Sequence, residues 1–141
     1  MRITILGSSK FAEQMVEYRD KLIKLGHQVN LHEHYVAQGN GGMPDLIKRM
    51  EKEHANVKRE FGYHRYHYDE IVNKSDGVLV LNFDKNGIKN YIGGNTLMEL
   101  GFAYVHNKKI FLLKPIPKMT YTDEIESVDP VVINGDLDLI R

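Results

Sequence analysis

Apolar residues along this chain fall into short continuous runs separated by stretches with helical spacing. Ile3 to Leu6 is such a run, closed by Gly7-Ser8-Ser9, and reads as a buried strand that ends in a turn. Phe11, Met15, Leu22 and Ile23 then recur at roughly helical intervals as far as Leu25, with Gly26 suited to the position after a helix. Gln28 to His32 makes a second short strand, so the first unit is βαβ, with parallel strands and a right-handed crossover. Residues 35 to 44, with Gly39, Gly41, Gly42 and Pro44, read as a loop, and Asp45 to Glu60 as a highly charged helix. Beyond it the pattern predicts a helix over Tyr66 to Lys74, a strand over Val78 to Phe83, a helix over Thr96 to His106 and a strand over Lys109 to Leu113. Pro115 and Pro117 interrupt the chain before a helical turn at Tyr121 to Ser127 and a candidate edge strand at Val131 to Ile133. Repeated β-α alternation predicts a flavodoxin-like or Rossmann-like α/β three-layer sandwich with a mainly parallel sheet.

Composition narrows the functional classes. With 141 residues and no tract that reads as a linker, residues 1–141 are expected to form one domain. The 19 basic and 19 acidic residues balance, which gives no reason to expect a nucleic-acid partner. The absence of cysteine removes thiolate metal sites and cysteine nucleophiles, and suits a reducing compartment. No apolar run approaches about 18 residues, so no membrane partner is expected, and the expected location is cytoplasmic.

Candidate chemistry concentrates at two strand-to-helix turns. Gly93-Gly94-Asn95-Thr96 opens a helix that carries Glu99 just inside it. The two glycines allow positive φ and close backbone approach, Asn95 or Thr96 can cap the helix, and free amides there can meet an anion. A carboxylate at that place can act as nucleophile or base, or can simply complement the helix dipole. Gly7-Ser8-Ser9-Lys10 offers amides, hydroxyls and a cation to a phosphate or sugar, although its spacing matches neither a P-loop nor a dinucleotide fingerprint. Asn82 and Asp84 follow the middle strand at its carboxyl end, while Asp76 precedes it and suits a turn or cap. The cluster from Tyr63 to Glu70, with His32, His34 and Tyr35, reads as a helix surface or as a stacking wall for a planar base; His64 and His67 at i, i+3 lack a third ligand, so no metal is expected.

The run from Asp76 to Ala103, with Gly-Asn-Thr-Leu-Met-Glu-Leu-Gly-Phe-Ala at its end, resembles the nucleoside 2-deoxyribosyltransferases and the related deoxynucleoside 5′-monophosphate N-glycosidases. Gly93 to Glu99 is also similar to the glycine-rich turn of the cytokinin-activating phosphoribohydrolases, without its proline and one residue shorter. The resemblance implies a nucleoside 2-deoxyribosyltransferase-like domain that cleaves or transfers the N-glycosidic bond of a nucleoside or nucleoside 5′-monophosphate. Glu99 would be the nucleophile, and no cofactor would be needed. Where those families carry an essential aspartate this chain has Tyr68, with Asp69 one residue out of register; Asp69 or a neighbouring histidine would then protonate the leaving base. Gly93 stands where the families place Asp or Ser. Residues Gly7, Ser8, Ser9, Lys10, Tyr68, Asn82, Asp84, Gly93, Gly94, Asn95 and Thr96 complete the expected substrate site, with the substrate's 5′ end at Gly7 to Ser9. The resemblance further implies a homo-oligomer, a dimer built on the helices at Tyr66 to Lys74 and Thr96 to His106. The segment Tyr35 to Gly62 is expected to cover the pocket as a lid hinged at its glycines, bringing Tyr63, Tyr66 or Tyr68 against the base. The alternative is a noncatalytic nucleotide-binding or sensing module on the same fold.

Overall fold

Five parallel strands form one sheet in the computed structural model, which describes residues 1–141. They are β1 (Arg2–Leu6), β2 (Gln28–Asn30), β3 (Gly77–Val80), β4 (Lys109–Leu112) and β5 (Val131–Val132), in the order β2-β1-β3-β4-β5. This is the flavodoxin-like doubly wound order, whose direction of winding reverses between β1 and β3. The register pairs Ile3 with Val29 on one side and with Gly77 on the other. Leu81 N–H extends the ladder by donating to the Leu6 carbonyl (2.9 Å).

Alternation along the strands sends side chains to two cores. Ile3, Ile5, Leu79 and Phe111 face α1 (Ala12–Lys24), where Met15 and Leu22 are fully buried. Leu6, Val78, Val80 and Ile110 face the opposite layer, α4 (Tyr63–Lys74), α5 (Gly94–Val105) and α6 (Thr122–Ser127), through Ile71, Leu100, Ala103 and Ile125. Both faces of the sheet are covered, which is why its strands read as continuous apolar runs. No helix is long and apolar enough to cross a membrane.

The segment read as a loop from 35 to 44 is instead largely helical: α2 spans Glu33–Gly39 and α3 begins at Pro44 and runs to Glu60. The His32 imidazole caps α2 by accepting from His34 N–H (2.9 Å), and Tyr35 is buried against the first core. Gly39 is no hinge. A Cβ there would lie 2.6 Å from the Ala12 carbonyl oxygen, so its lack of a side chain is what lets α2 lie on α1. A glycine needed for close packing has the same signature in sequence as one needed for a turn. α4 also begins earlier than the spacing suggested, at Tyr63, after Gly62 in the left-handed region (φ 62°).

α3 stands apart from the two main cores. It enters after Met43 in the left-handed region (φ 58°), breaks at Glu53 (φ −130°, ψ 42°) and buries Leu46, Met50 and Val57 with Tyr63 in a cluster of 4 buried residues.

Candidate active site

A cavity of about 860 Å³ opens at the carboxyl edge of the sheet, beside the switch between β1 and β3. Open α/β sheets bind ligands at this point because the turns leaving adjacent strands diverge there to opposite faces. The turn after β1 supplies Gly7, Ser8, Ser9 and Lys10, and the turn into α5 supplies Gly93, Gly94, Asn95, Thr96 and Glu99. The two motifs picked out in the sequence therefore share one site. α3 forms the wall over it, through Ile47, Met50, Glu51, His54 and Lys58.

Glu99 is the one buried carboxyl group in the cavity wall. It occupies the second turn of α5 rather than the first, so it is not a simple partner for the helix dipole. It is 5 % exposed and makes no hydrogen bond or ion pair with the protein. Burial pushes its carboxyl up to about 8, against the opposing pull of the Lys58 ammonium. Lys58, also buried, faces Glu99 from the last turn of α3; burial lowers its pKa while the Glu99 charge raises it. Its ammonium lies 5.4 Å from the centre of the Tyr63 ring, within cation–π range. The Tyr35 phenol lines the cavity as well, pushed up by burial and then by the Glu99 charge.

The other end of the cavity suits an anion. Ser8 Oγ accepts from Lys10 N–H (3.2 Å), capping the short turn, and also accepts from Lys85 Nζ (2.9 Å). Lys85 is aimed by its loop. Asp84 accepts from Asn90 N–H (2.9 Å), and Lys85 and Ile88 pair through their backbones. α5 starts at Gly94 with no side-chain cap, so neither Asn95 nor Thr96 has the capping role expected of it. The first intrahelical bond is Leu97 N–H to the Gly93 carbonyl (3.0 Å), which leaves the amides of Gly94, Asn95 and Thr96 ahead of it. Neither Gly93 (φ −79°) nor Gly94 uses positive φ; a Cβ on Gly94 would meet nothing within 4 Å, so its contribution is open space. Gln38 Nε2 is buried at the cavity without a hydrogen-bond partner.

Four sequence candidates lie elsewhere. Asp69 is half-exposed on α4; its carboxylate accepts from Asn73 (2.7 Å) and pairs with Lys74 (3.4 Å), and these bonds hold it below the usual carboxyl range. Tyr68 packs edge-on against Phe102 and bonds His106 (3.0 Å), on the outer side of α4 and α5. Asn82 is fully buried and clamps the chain after β4, donating to the carbonyls of Lys114 (3.0 Å) and Pro115 (3.1 Å). Asp84 closes the loop that carries Lys85. Tyr63 and Tyr66 do not form a stacking wall either. Both pack around His32, and the Tyr63 hydroxyl bonds His34 Nδ1 (2.6 Å). Burial lowers His32 and His67 to about 4, so both are neutral core imidazoles. The phenol rings at the cavity are those of Tyr35 and Tyr91.

Lys58, His54, Lys85 and Gln38 were missed by sequence reasoning. A signal existed for two of them: Leu46, Met50, His54 and Lys58 follow one another at i+4, so the polar pair continues the stripe that the buried apolar pair begins. No three His, Asp or Glu side chains converge as metal ligands. The chain matches no protein-family model, no curated protein and no solved structure, so the arrangement of these side chains is what speaks for its function.

Proposed function

We propose that this protein breaks or transfers the N-glycosidic bond of a nucleoside or nucleoside 5′-monophosphate, with Glu99 as the nucleophile. The observation that carries this reading is a buried carboxylate without a bonding partner, lining the same cavity as the Ser8–Lys85 pair and the uncapped amino end of α5. The 5′ phosphate would lie against Ser8, Lys85 and those amides, which places the sugar toward Glu99. An oxocarbenium-like centre at C1′ is then stabilised or captured by the carboxylate. The resemblance of Asp76 to Ala103 to the deoxyribosyltransferase and N-glycosidase families supports the same substrate class. Under this reading the protein works without a cofactor, in the cytoplasm, as a homodimer on the outer faces of α4 and α5, where Tyr68, Tyr104 and Val105 are exposed. Light scattering across micromolar concentrations tests the dimer, and a monomer throughout would refute it.

The main experiment is base release from a panel of deoxynucleosides, ribonucleosides and their 5′-monophosphates. Release from at least one of them is expected, and none from any would end the enzymatic reading. With a monophosphate substrate, Lys85→Met should weaken KM by about tenfold or more, the loss of one charge-assisted bond, and should change turnover of the unphosphorylated nucleoside much less.

One observation favours a second reading, a nucleotide-binding module without turnover. A Glu99 carboxyl pushed up to about 8 holds its proton at neutral pH and would donate a hydrogen bond to a ligand rather than attack carbon. Calorimetric binding of a monophosphate that is never cleaved would select it.

A further inference from the structure

Cleavage of a C1′–N bond needs an acid as well as a nucleophile, because a neutral purine or pyrimidine leaves as a poor anion unless it is protonated. Asp69, the acid suggested by the sequence, is outside the cavity and tied to Asn73 and Lys74. Among the cations that line the cavity, Lys10 is paired with Glu51 (3.3 Å) and Lys85 with Ser8 (2.9 Å). His54 is held toward its neutral form by burial and then by the charges of Lys58 and Lys85. Lys58 alone is buried, lines the cavity and has no hydrogen-bond or ion-pair partner.

We propose that Lys58 is the general acid of this site: from the α3 wall across the cavity from Glu99, its ammonium gives a proton to the departing base. This deepens the N-glycosidic reading above and rests on it. The groups that face Lys58 are Glu99 from α5, Tyr63 and His67 from α4, His32 ahead of α2, and His54 and His64 on either side in the chain. Glu99 is the one carboxylate among them, so the protein sets a single acid against a single nucleophile with the substrate between. Burial supports the role, because it lowers the ammonium from its usual range toward one in which a proton can leave.

The step balances without any co-reactant but water. The reacting form has Glu99 ionised and Lys58 protonated: as the C1′–N bond breaks, its electron pair goes to the base nitrogen, a Lys58 Nζ proton passes to the base, and a Glu99 carboxylate oxygen forms the ester bond to C1′. Water then attacks C1′, the ester bond breaks to regenerate the Glu99 carboxylate, and the water's proton returns to the Lys58 amine.

Leaving groups that need no proton separate this role from a structural one. Lys58→Met and Lys58→Arg would be compared with the wild-type protein on an adenine deoxynucleoside 5′-monophosphate and on its 7-methylguanine counterpart, whose base is already cationic and departs neutral. Both variants should lose about a hundredfold or more in kcat on adenine, the usual scale for general acid catalysis, and stay within a few-fold of wild type on 7-methylguanine. Arg keeps the charge but cannot release the proton, and it carries the test if the Met variant fails to fold. Equal losses on the two substrates would overturn the proposal in favour of an electrostatic role toward Glu99, and no loss on either would overturn it outright. Wild-type protein that releases no base from these two or from any substrate of the panel above would refute the N-glycosidic reading itself, whereas wild-type cleavage of both with unaffected variants removes Lys58 alone.

Discussion

At the amino edge of the sheet Asp76 meets Arg2 and Thr4 meets Ser75 and Asn30, whereas at the carboxyl edge Glu99, Lys58 and the Gln38 amide nitrogen have no bonding partner. The Asp76 carboxylate accepts from both the backbone N–H (2.8 Å) and the guanidinium (2.9 Å) of Arg2, which hold its carboxyl down to about 2. Glu99 is desolvated without such bonds and moves the opposite way, to about 8. One edge uses its polar groups to join β1 to β3; at the other, Glu99 and Lys58 line the cavity without a hydrogen-bond or ion-pair partner in the protein. Buried polar groups are normally bonded within the protein; the one buried side-chain polar atom without a partner, Gln38 Nε2, lines the same cavity as Glu99 and Lys58, neither of which has a hydrogen-bond or ion-pair partner in the protein.

The largest effect that tests this contrast is on turnover. Glu99→Gln keeps the shape of the side chain and removes the proposed nucleophile, so under the N-glycosidic reading it should lower kcat for base release by about a thousandfold or more while circular dichroism is unchanged; Asp76→Asn should leave kcat within a few-fold of wild type. If Glu99→Gln retained wild-type turnover, the carboxyl edge would be no active centre.

The pH dependence of stability comes next. Between the unfolded carboxyl value of about 4.3 and the folded value, the native protein keeps a proton on Glu99 that the unfolded chain releases, so stability falls as pH rises across that window. With the folded value at about 8, denaturant unfolding should show wild type losing stability relative to Glu99→Gln from pH 4.5 to 8, by several kcal/mol at about 1.4 kcal/mol per unit. Parallel curves for the two proteins would show that Glu99 is not desolvated as described.

The smallest effect belongs to the other edge, and its sign is reversed. A carboxyl held at about 2 adds stability that is present above the unfolded value and lost as pH falls through 2. Wild type should therefore lose stability relative to Asp76→Asn on acidification below pH 4. The loss is modest, since Arg2 and Asp76 are both about half exposed and such pairs are weak. An acid limb identical in the two proteins would remove Asp76 from the account.

Much of the fold was legible because buried parallel strands are continuous apolar runs and their crossover helices repeat at fixed spacing. The site was legible where it depends on chain order alone: Gly7 to Lys10 and Gly93 to Glu99 each follow a strand, so both fall on the same edge. It was not legible where it depends on which way a helix turns. Tyr68 and Asp69 are close in sequence to buried Tyr63 and His67, yet they project from the outer side of α4, away from the cavity. Lys58 is marked in the sequence by its i+4 place after Leu46, Met50 and His54, but not by the fold that sets α3 over Glu99. Gln38 carries no local mark at all, because its significance lies in a bond it does not make.

α3 has a consequence for how the molecule comes apart. It is bounded by two left-handed residues, Met43 and Gly62, is broken in the middle, and is anchored by a cluster of 4 buried residues, against 11 and 10 in the clusters on the two faces of the sheet. Small, separately packed units of this kind open at lower free energy than the body they cover. Lys58 and Glu99, which line the cavity from α3 and α5, thus belong to parts of different cooperative strength. On warming, the wall that carries Lys58 will detach while the sheet and Glu99 remain folded, and backbone amides of 44–60 will exchange with solvent well before those of β1 and β3.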